Sequence, residues 1–380
     1  MDDKNDYLIF LRRANFDEYQ PQNPRFKKVL ADWQWYSLSE QLFFPWQLYR
    51  HKIDLMHFTH FNAPLFYRRP LVLTIHDLIL QRWPTYKNNF LSRVKYFFKN
   101  LGYKIIIRSA LTRAQKIIAV SRFVRDDIVK SFGVTPEKVA VIYEGSSSAV
   151  IASPDEKSGR SNSADSGNIS GSLRRPAPRD DESLLAKHKI KKPYLLYVGN
   201  AYPHKNLTRL IETFNFLVEG GRNDLQLVLA GEEDYFYRQL KEFYNSIILR
   251  SMIELSEKRR VIFTGFVPDE ELGALYRSAA VYIFPSLCEG FGLPPLEAMS
   301  YGVPVVSSGD TCLPEILGQA AHYFDSQNSA DMAAKISEVL SSEALRQQLI
   351  AAGFEQIKKY SWQRMAEETA RVYSLWIKRS

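Results

Sequence analysis

What most constrains this chain is a repeated alternation: short β-branched or apolar runs, each followed by a loop and a stretch with apolar residues three and four apart. A parallel sheet flanked by helices reads this way. In the first half the pattern predicts strands at Tyr7–Leu11, Leu55–His57, Leu71–Ile75, Lys116–Val120 and Val139–Tyr143. Helices are expected between them near Leu38–His51, Asn89–Leu111 and Arg122–Phe132. The composition then changes: Ser153–Asp181 is rich in Ser, Asp, Arg, Gly and Pro and nearly free of large apolar residues. Such a segment reads as solvated and disordered, and marks a domain boundary.

After Pro193 the alternation resumes. Strands are expected at Tyr194–Val198, Gln226–Ala230, Val261–Phe263, Val281–Phe284 and Val303–Ser307, with helices near Leu207–Val218, Asp269–Ser278 and Pro294–Tyr301. The tail from about Ser329 to Arg379 reads as helical. The expected class is α/β: two doubly wound Rossmann-like domains in series, residues 1–185 (with 153–181 an insert) and 186–360. A closing helix over 361–380 is expected to return to the first domain. Ligands of such sheets sit at the carboxyl ends of the strands.

Composition narrows the function classes. Hydrophobic residues are 45% and charged residues 24%, an ordinary globular balance. No window approaches the run of about 18 apolar residues that spans a bilayer. The start, Met1-Asp2-Asp3-Lys4, lacks the basic-then-apolar plan of a signal peptide. Two cysteines, Cys288 and Cys312, make no disulfide framework and point to a reducing cytoplasm. There is no Cys/His cluster with metal-ligand spacing, so no metal is expected. The net charge is +8, yet the basic residues are dispersed and no nucleic-acid-binding motif occurs. Anionic lipid or a phosphorylated small ligand then explains the excess better than nucleic acid.

Two strings carry the chemistry. In Phe284–Met299 a strand ends, a Gly-X-Gly loop follows, and proline opens a helix. The loop's small residues let backbone amides approach a ligand, and with the helix N-terminus they form a positive region suited to phosphate oxygens or sugar hydroxyls. Glu289 precedes the loop and Glu297 lies about one turn inside the helix, so one carboxylate can face a reacting sugar while the other reaches a ribose diol. In Tyr197–Leu207 a strand again opens into a helix, with Lys205 at the helix start, where an ammonium suits a diphosphate. Cys288 beside Glu289 has no companion histidine nearby in sequence and reads as a buried thiol rather than a nucleophile.

These strings, with Phe263-Thr264-Gly265-Phe266-Val267-Pro268 and Gly302-Val303-Pro304-Val305-Val306, resemble the retaining glycosyltransferases of family 4, which have the GT-B fold. Further matching strings are Thr74-Ile75-His76-Asp77-Leu78, Ile118-Ala119-Val120-Ser121, Leu313-Pro314-Glu315 and Ser361-Trp362. The resemblance implies a mannosyltransferase-like enzyme, with an acceptor-side first domain, a nucleotide-sugar-binding second domain and a cleft between them. Transfer would proceed with retention and without a metal or other cofactor. Lys205 would neutralise the donor diphosphate. Amides of Gly290, Phe291, Gly292 and Leu293 would hold the donor sugar, with Glu289 near its C3. Glu297 would accept from the ribose, and Gly199 and Asn200 would line the donor site. The Gly265, Phe266 and Val267 turn would receive the base, and His76 would face the sugar across the cleft.

Two departures from the family bear on activity. The chain opens on what looks like the family's second strand, so one strand–helix unit is expected to be missing. Asn200 and Ala201 stand where many relatives carry an arginine. The expected substrates are a nucleotide-diphosphate sugar, GDP-mannose first, and a saccharide or polyprenyl-linked acceptor of a surface polysaccharide or glycolipid. Alternatives are a non-catalytic nucleotide-sugar-binding protein and a sucrose- or trehalose-synthase-like enzyme. Finally, the stretch from about Asn89 to Leu111 mixes Phe90, Val94, Phe97, Phe98, Ile105 and Ile106 with Arg93, Lys95, Lys99, Lys104 and Arg108. A basic amphipathic helix of this kind suits anionic lipid, so a peripheral place on the inner face of the plasma membrane is expected.

Overall fold

The computed structural model describes residues 4–83, 90–146, 181–250 and 260–377. Most of the expected Ser153–Asp181 insert lies outside the described residues. Two compact units emerge, one running to Gly145 and resuming at Trp362, the other from Ser146 to Ser361. The helix Asp181–Lys187, which the sequence placed across a domain boundary at 185, belongs to the second unit. Asp181 there takes both Nε and Nη2 of Arg277 at 3.2 and 2.9 Å.

In the first unit the strands are β1 (Tyr7–Leu11), β2 (Phe26–Leu30), β3 (Met56–Phe58), β4 (Leu71–Ile75), β5 (Lys116–Ala119) and β6 (Val139–Val141). They form two parallel sheets, β1-β2 and β3-β4-β5-β6. Strand β4 is buried along its whole length, as expected of a strand covered on both faces. The closing helix Trp362–Ser374 is part of this unit: Val372 joins Val72, Ile118 and Ile142 in one apolar cluster. Tyr373 Oη lies 2.5 Å from His57 Nδ1. Gly145 admits this helix, since a Cβ there would strike the Trp362 ring.

The second unit is one parallel sheet of β7 (Tyr194–Val198), β8 (Gln226–Ala230), β9 (Val261–Gly265), β10 (Val281–Phe284), β11 (Val305–Ser308) and β12 (Ala321–Phe324). Its order is β12-β11-β10-β7-β8-β9. The chain therefore builds outward from β7 in one direction, then returns to β7's other edge and builds the opposite way. That reversal is a topological switch point, and the crevice at the carboxyl ends of β7 and β10 is where such sheets bind ligands.

Strands β2 and β12 were not expected from the sequence. Each is an edge strand, and their residues Phe-Lys-Lys-Val-Leu and Ala-His-Tyr-Phe carry the polar side chains that protect exposed edges, which weakens the apolar signal. Strand β11 begins after Pro304, whose carbonyl accepts the Tyr282 N–H at 3.0 Å. Proline thus stands just before the ladder.

Candidate active site

The two motif strings flank the switch point. After β7 the chain passes Gly199, makes a tight turn over Pro203–Lys205, and enters the helix Leu207–Glu219 through Asn206, which is left-handed at φ 59°. After β10 it runs through Glu289 into the helix Leu293–Ser300. Several bonds join the two loops. Asn206 Nδ2 donates to the Pro285 carbonyl at 3.2 Å, and the Leu287 N–H donates to the His204 carbonyl at 2.7 Å; Asn206 Nδ2 also reaches the Ser326 carbonyl, past β12, at 2.9 Å. Gly292 holds φ +101° at the helix start, a conformation that favours glycine, and a Cβ would also press on Leu313.

The result is a close ion pair. Lys205 Nζ donates to Glu289 Oε1 at 2.6 Å, and the two side chains are only 14% and 10% exposed. Backbone tethers fix both partners: Lys205 N–H donates to Tyr202 O at 2.8 Å, and Glu289 N–H donates to Thr311 Oγ1 at 3.1 Å. A buried pair of this kind adds little net stability, because desolvation offsets most of the attraction. The pair sets an ammonium and a carboxylate beside a helix N-terminus, a place whose positive potential suits an anion.

Glu297 lies on the same helix but bonds elsewhere, accepting from Tyr276 Oη at 3.3 Å. Burial holds its carboxyl above the ordinary range. Burial first, and then the charges of Glu297 and Glu289, raise the pKa of Tyr282, whose hydroxyl donates to Val198 O of β7 at 3.4 Å. The Gly265–Val267 turn closes β9 on the same sheet edge, with Phe266 70% exposed and Val267 buried. Asn200 caps the β7 turn, its carbonyl accepting from Tyr197 Oη at 2.8 Å. Gly290 and Phe291 are buried in the loop, and Phe291 O accepts from the Cys312 thiol at 3.3 Å. Cys288 and Cys312 are both buried free thiols.

His76 belongs to the first unit, just past β4. Its Nδ1 lies 2.6 Å from Glu144 Oε1 and its Nε2 2.9 Å from the Thr59 carbonyl. Two acceptors, one on each nitrogen, suit the doubly protonated ring, and the Glu144 contact raises the His76 pKa. His57 and His60 nearby are held neutral, burial first and then the His76 charge pushing both to about 4. A His76 whose folded pKa exceeds the unfolded value contributes stability that is complete below about pH 6.5 and lost as pH rises through the folded value. The melting-temperature difference between wild type and His76→Gln should therefore shrink from pH 6 to 8.5. A constant difference would show that the imidazolium does not stabilise the unit.

The sequence reading missed several residues. Glu144 and Thr311 bond to His76 and Glu289 from 68 and 22 residues away, and no local pattern announces them. Gly231 was also missed, although it follows β8 as Gly199 follows β7, and that strand-then-glycine signal could have found it. His204, 5% exposed, has a buried Nδ1 with no hydrogen-bond partner among the described residues, and burial with the Lys205 charge drives its pKa to about 3.

Two Rossmann-like units, the second with a lysine–glutamate pair at its switch point, give the architecture of the GT-B fold. The comparisons agree. Residues 180–356 match the Glycosyl transferases group 1 family and residues 8–147 match Glycosyltransferase Family 4. The chain is 30% identical over 332 residues to the O-antigen chain mannosyltransferase B of Escherichia coli, covering 87% of this chain and 76% of the relative. It is 26% identical over 288 residues to the O-antigen chain mannosyltransferase RfbU of Salmonella typhimurium, covering 74% of this chain and 63% of that one. Among solved structures, Anabaena HepE in complex with UDP-glucose superposes with a TM-score of 0.67 at 17% identity, covering 91% of this chain and 86% of that chain. Sucrose-phosphate synthase from Thermosynechococcus elongatus gives 0.66 at 19%, covering 97% and 88%. The chain belongs to the family 4, group 1 glycosyltransferases.

Proposed function

We propose that this enzyme transfers mannose from GDP-mannose to a saccharide or polyprenyl-linked acceptor, with retention and without a catalytic metal. The observation that carries the reading is the buried Lys205–Glu289 pair at the β7–β10 switch point. The names of the two O-antigen relatives favour mannose as the sugar and a surface polysaccharide as the product.

In this reading the donor diphosphate displaces Glu289 from Lys205, whose ammonium offsets the charge that grows on the leaving group. Amides of Gly290, Phe291, Gly292 and Leu293 hold the sugar, and the released Glu289 carboxylate stands near its C3, supporting positive charge at the anomeric carbon. Glu297 accepts from the ribose; burial raises its pKa, so it takes up a proton at a higher pH than an ordinary carboxyl. Gly199 and Asn200 line the diphosphate, and Gly265, Phe266 and Val267 receive the base. The leaving diphosphate assists deprotonation of the acceptor.

Nucleotide release measured across GDP-mannose, UDP-glucose and UDP-galactose with a mannose-terminated acceptor tests the donor. GDP-mannose should give the highest kcat/KM. Faster turnover of a UDP-sugar would overturn the donor assignment, and binding without turnover would favour a non-catalytic nucleotide-sugar-binding role.

A further inference from the structure

We infer, resting on the role proposed for Glu289, that Thr311 is a positioning residue: its strained backbone aims a hydroxyl that keeps Glu289 in place once Lys205 has turned to the donor. Thr311 stands in the loop between β11 and the helix Leu313–Leu317, at the carboxyl end of the sheet. Its φ is +55°. A β-branched residue in the left-handed region is an outlier, because its Cβ crowds the following carbonyl. Among the described residues Tyr36, Lys189 and Asn206 are the other non-glycines with positive φ, and none of them is β-branched. Glycine or asparagine would take this backbone with less strain.

What threonine supplies instead is a hydroxyl on a short stem with few rotamers. Thr311 Oγ1 accepts the Glu289 N–H at 3.1 Å. That bond is the middle one of three that clamp the end of β11 and its loop onto the loop after β10. On one side Ser308 Oγ donates to Ser286 O at 2.5 Å, and on the other the Cys312 thiol donates to Phe291 O at 3.3 Å. Ser286, Phe291, Ser308 and Cys312 are all buried, so the two outer bonds are shielded from water. Backbone strain persists where the surrounding structure over-determines it, and it gathers at functional sites.

Glu289 is thus held in two ways. Lys205 Nζ holds its carboxylate at 2.6 Å, and Thr311 holds its backbone. In the reaction proposed above the first hold is broken when the diphosphate draws the ammonium away. The second does not involve the ammonium and stays, which limits how far the freed carboxylate can stray from the sugar. A group misplaced by 1 Å can lose about 10²-fold in rate. Thr311 acts through Glu289 and needs no contact with the sugar.

The test compares Thr311→Ser, Thr311→Val, Thr311→Gly and Glu289→Gln with wild type. Melting temperature is measured, and nucleotide release with whichever of GDP-mannose, UDP-glucose and UDP-galactose is turned over fastest. Thr311→Ser keeps the hydroxyl and should keep kcat near the wild-type value. Thr311→Val and Thr311→Gly lack it, and each should lower kcat by about 10- to 100-fold with little change in donor KM. Glycine relieves the strain that valine retains, so Thr311→Gly should melt above Thr311→Val. Recovery of kcat in Thr311→Gly along with its stability would make Thr311 merely structural and overturn the inference. So would wild-type kcat in Thr311→Val while Glu289→Gln is inactive. Wild-type kcat in Glu289→Gln, or no turnover of any of the three donors by wild type, would instead overturn the role of Glu289 and the inference with it.

Discussion

Replacing both Lys205 and Glu289, as Lys205→Met with Glu289→Gln, should restore a wild-type melting temperature and leave transfer abolished. Either substitution alone strands a buried charge. Removing one partner of such a pair costs on the order of 3–5 kcal/mol, whereas replacing both by neutral groups of similar volume is close to neutral. Each single variant should therefore melt well below wild type, and the double variant should recover. Activity follows a different logic. In the proposed reaction the ammonium and the carboxylate each act on developing charge, and loss of one such group lowers kcat by about 10²–10³-fold. The double variant should then show no recovery of transfer. If turnover returned along with stability, the pair would be a structural strut and the site would lie elsewhere. Thermal melts and initial rates on the four proteins decide the matter.

Gly231→Ala should lower the melting temperature of the second unit markedly and weaken donor binding. A Cβ at this position would lie 2.6 Å from Tyr237 Oη and closer still to the Gly199 carbonyl. The Gly199 oxygen is backbone, tied to Tyr237 Oη at 2.8 Å, and it opens the turn that delivers Lys205. Relief requires moving the β7 terminus, and overpacking of that kind costs about 1–3 kcal/mol or more. Gly102→Ala is the control: it sits inside the helix Phe90–Arg113 with nothing within 4 Å of the added methyl. That change should stabilise by about 0.5–1 kcal/mol. Equal melting temperatures for the two variants would contradict this account of the β7–β8 junction.

Much of this was legible in the sequence, because the informative signals are local. A strand, a glycine and a helix start occupy about ten consecutive residues, and Gly199–Lys205 and Glu289–Leu293 stand together for reasons that backbone geometry imposes. The ten expected strands were legible because their runs are mostly apolar, in the buried β4 as in the half-buried edge strand β1. Edge strands β2 and β12 escaped because Lys27, Lys28 and His322 blur that signal. The helix over 90–113 was legible as basic and amphipathic, but not which apolar residues face the core. Only packing separates Tyr103 and Ile107 from Phe98 and Ile105. Within the site, Lys205 and Glu289 are 84 residues apart, and their direct contact depends on sheet order, which the alternation of elements does not state.

The most direct test of the central claim is a crystal structure with GDP bound. The diphosphate should lie at the carboxyl ends of β7 and β10, with an oxygen about 3 Å from Lys205 Nζ and Glu289 released from the lysine. A diphosphate found beside His76 and Glu144 in the first unit, with the Lys205–Glu289 pair intact, would contradict it.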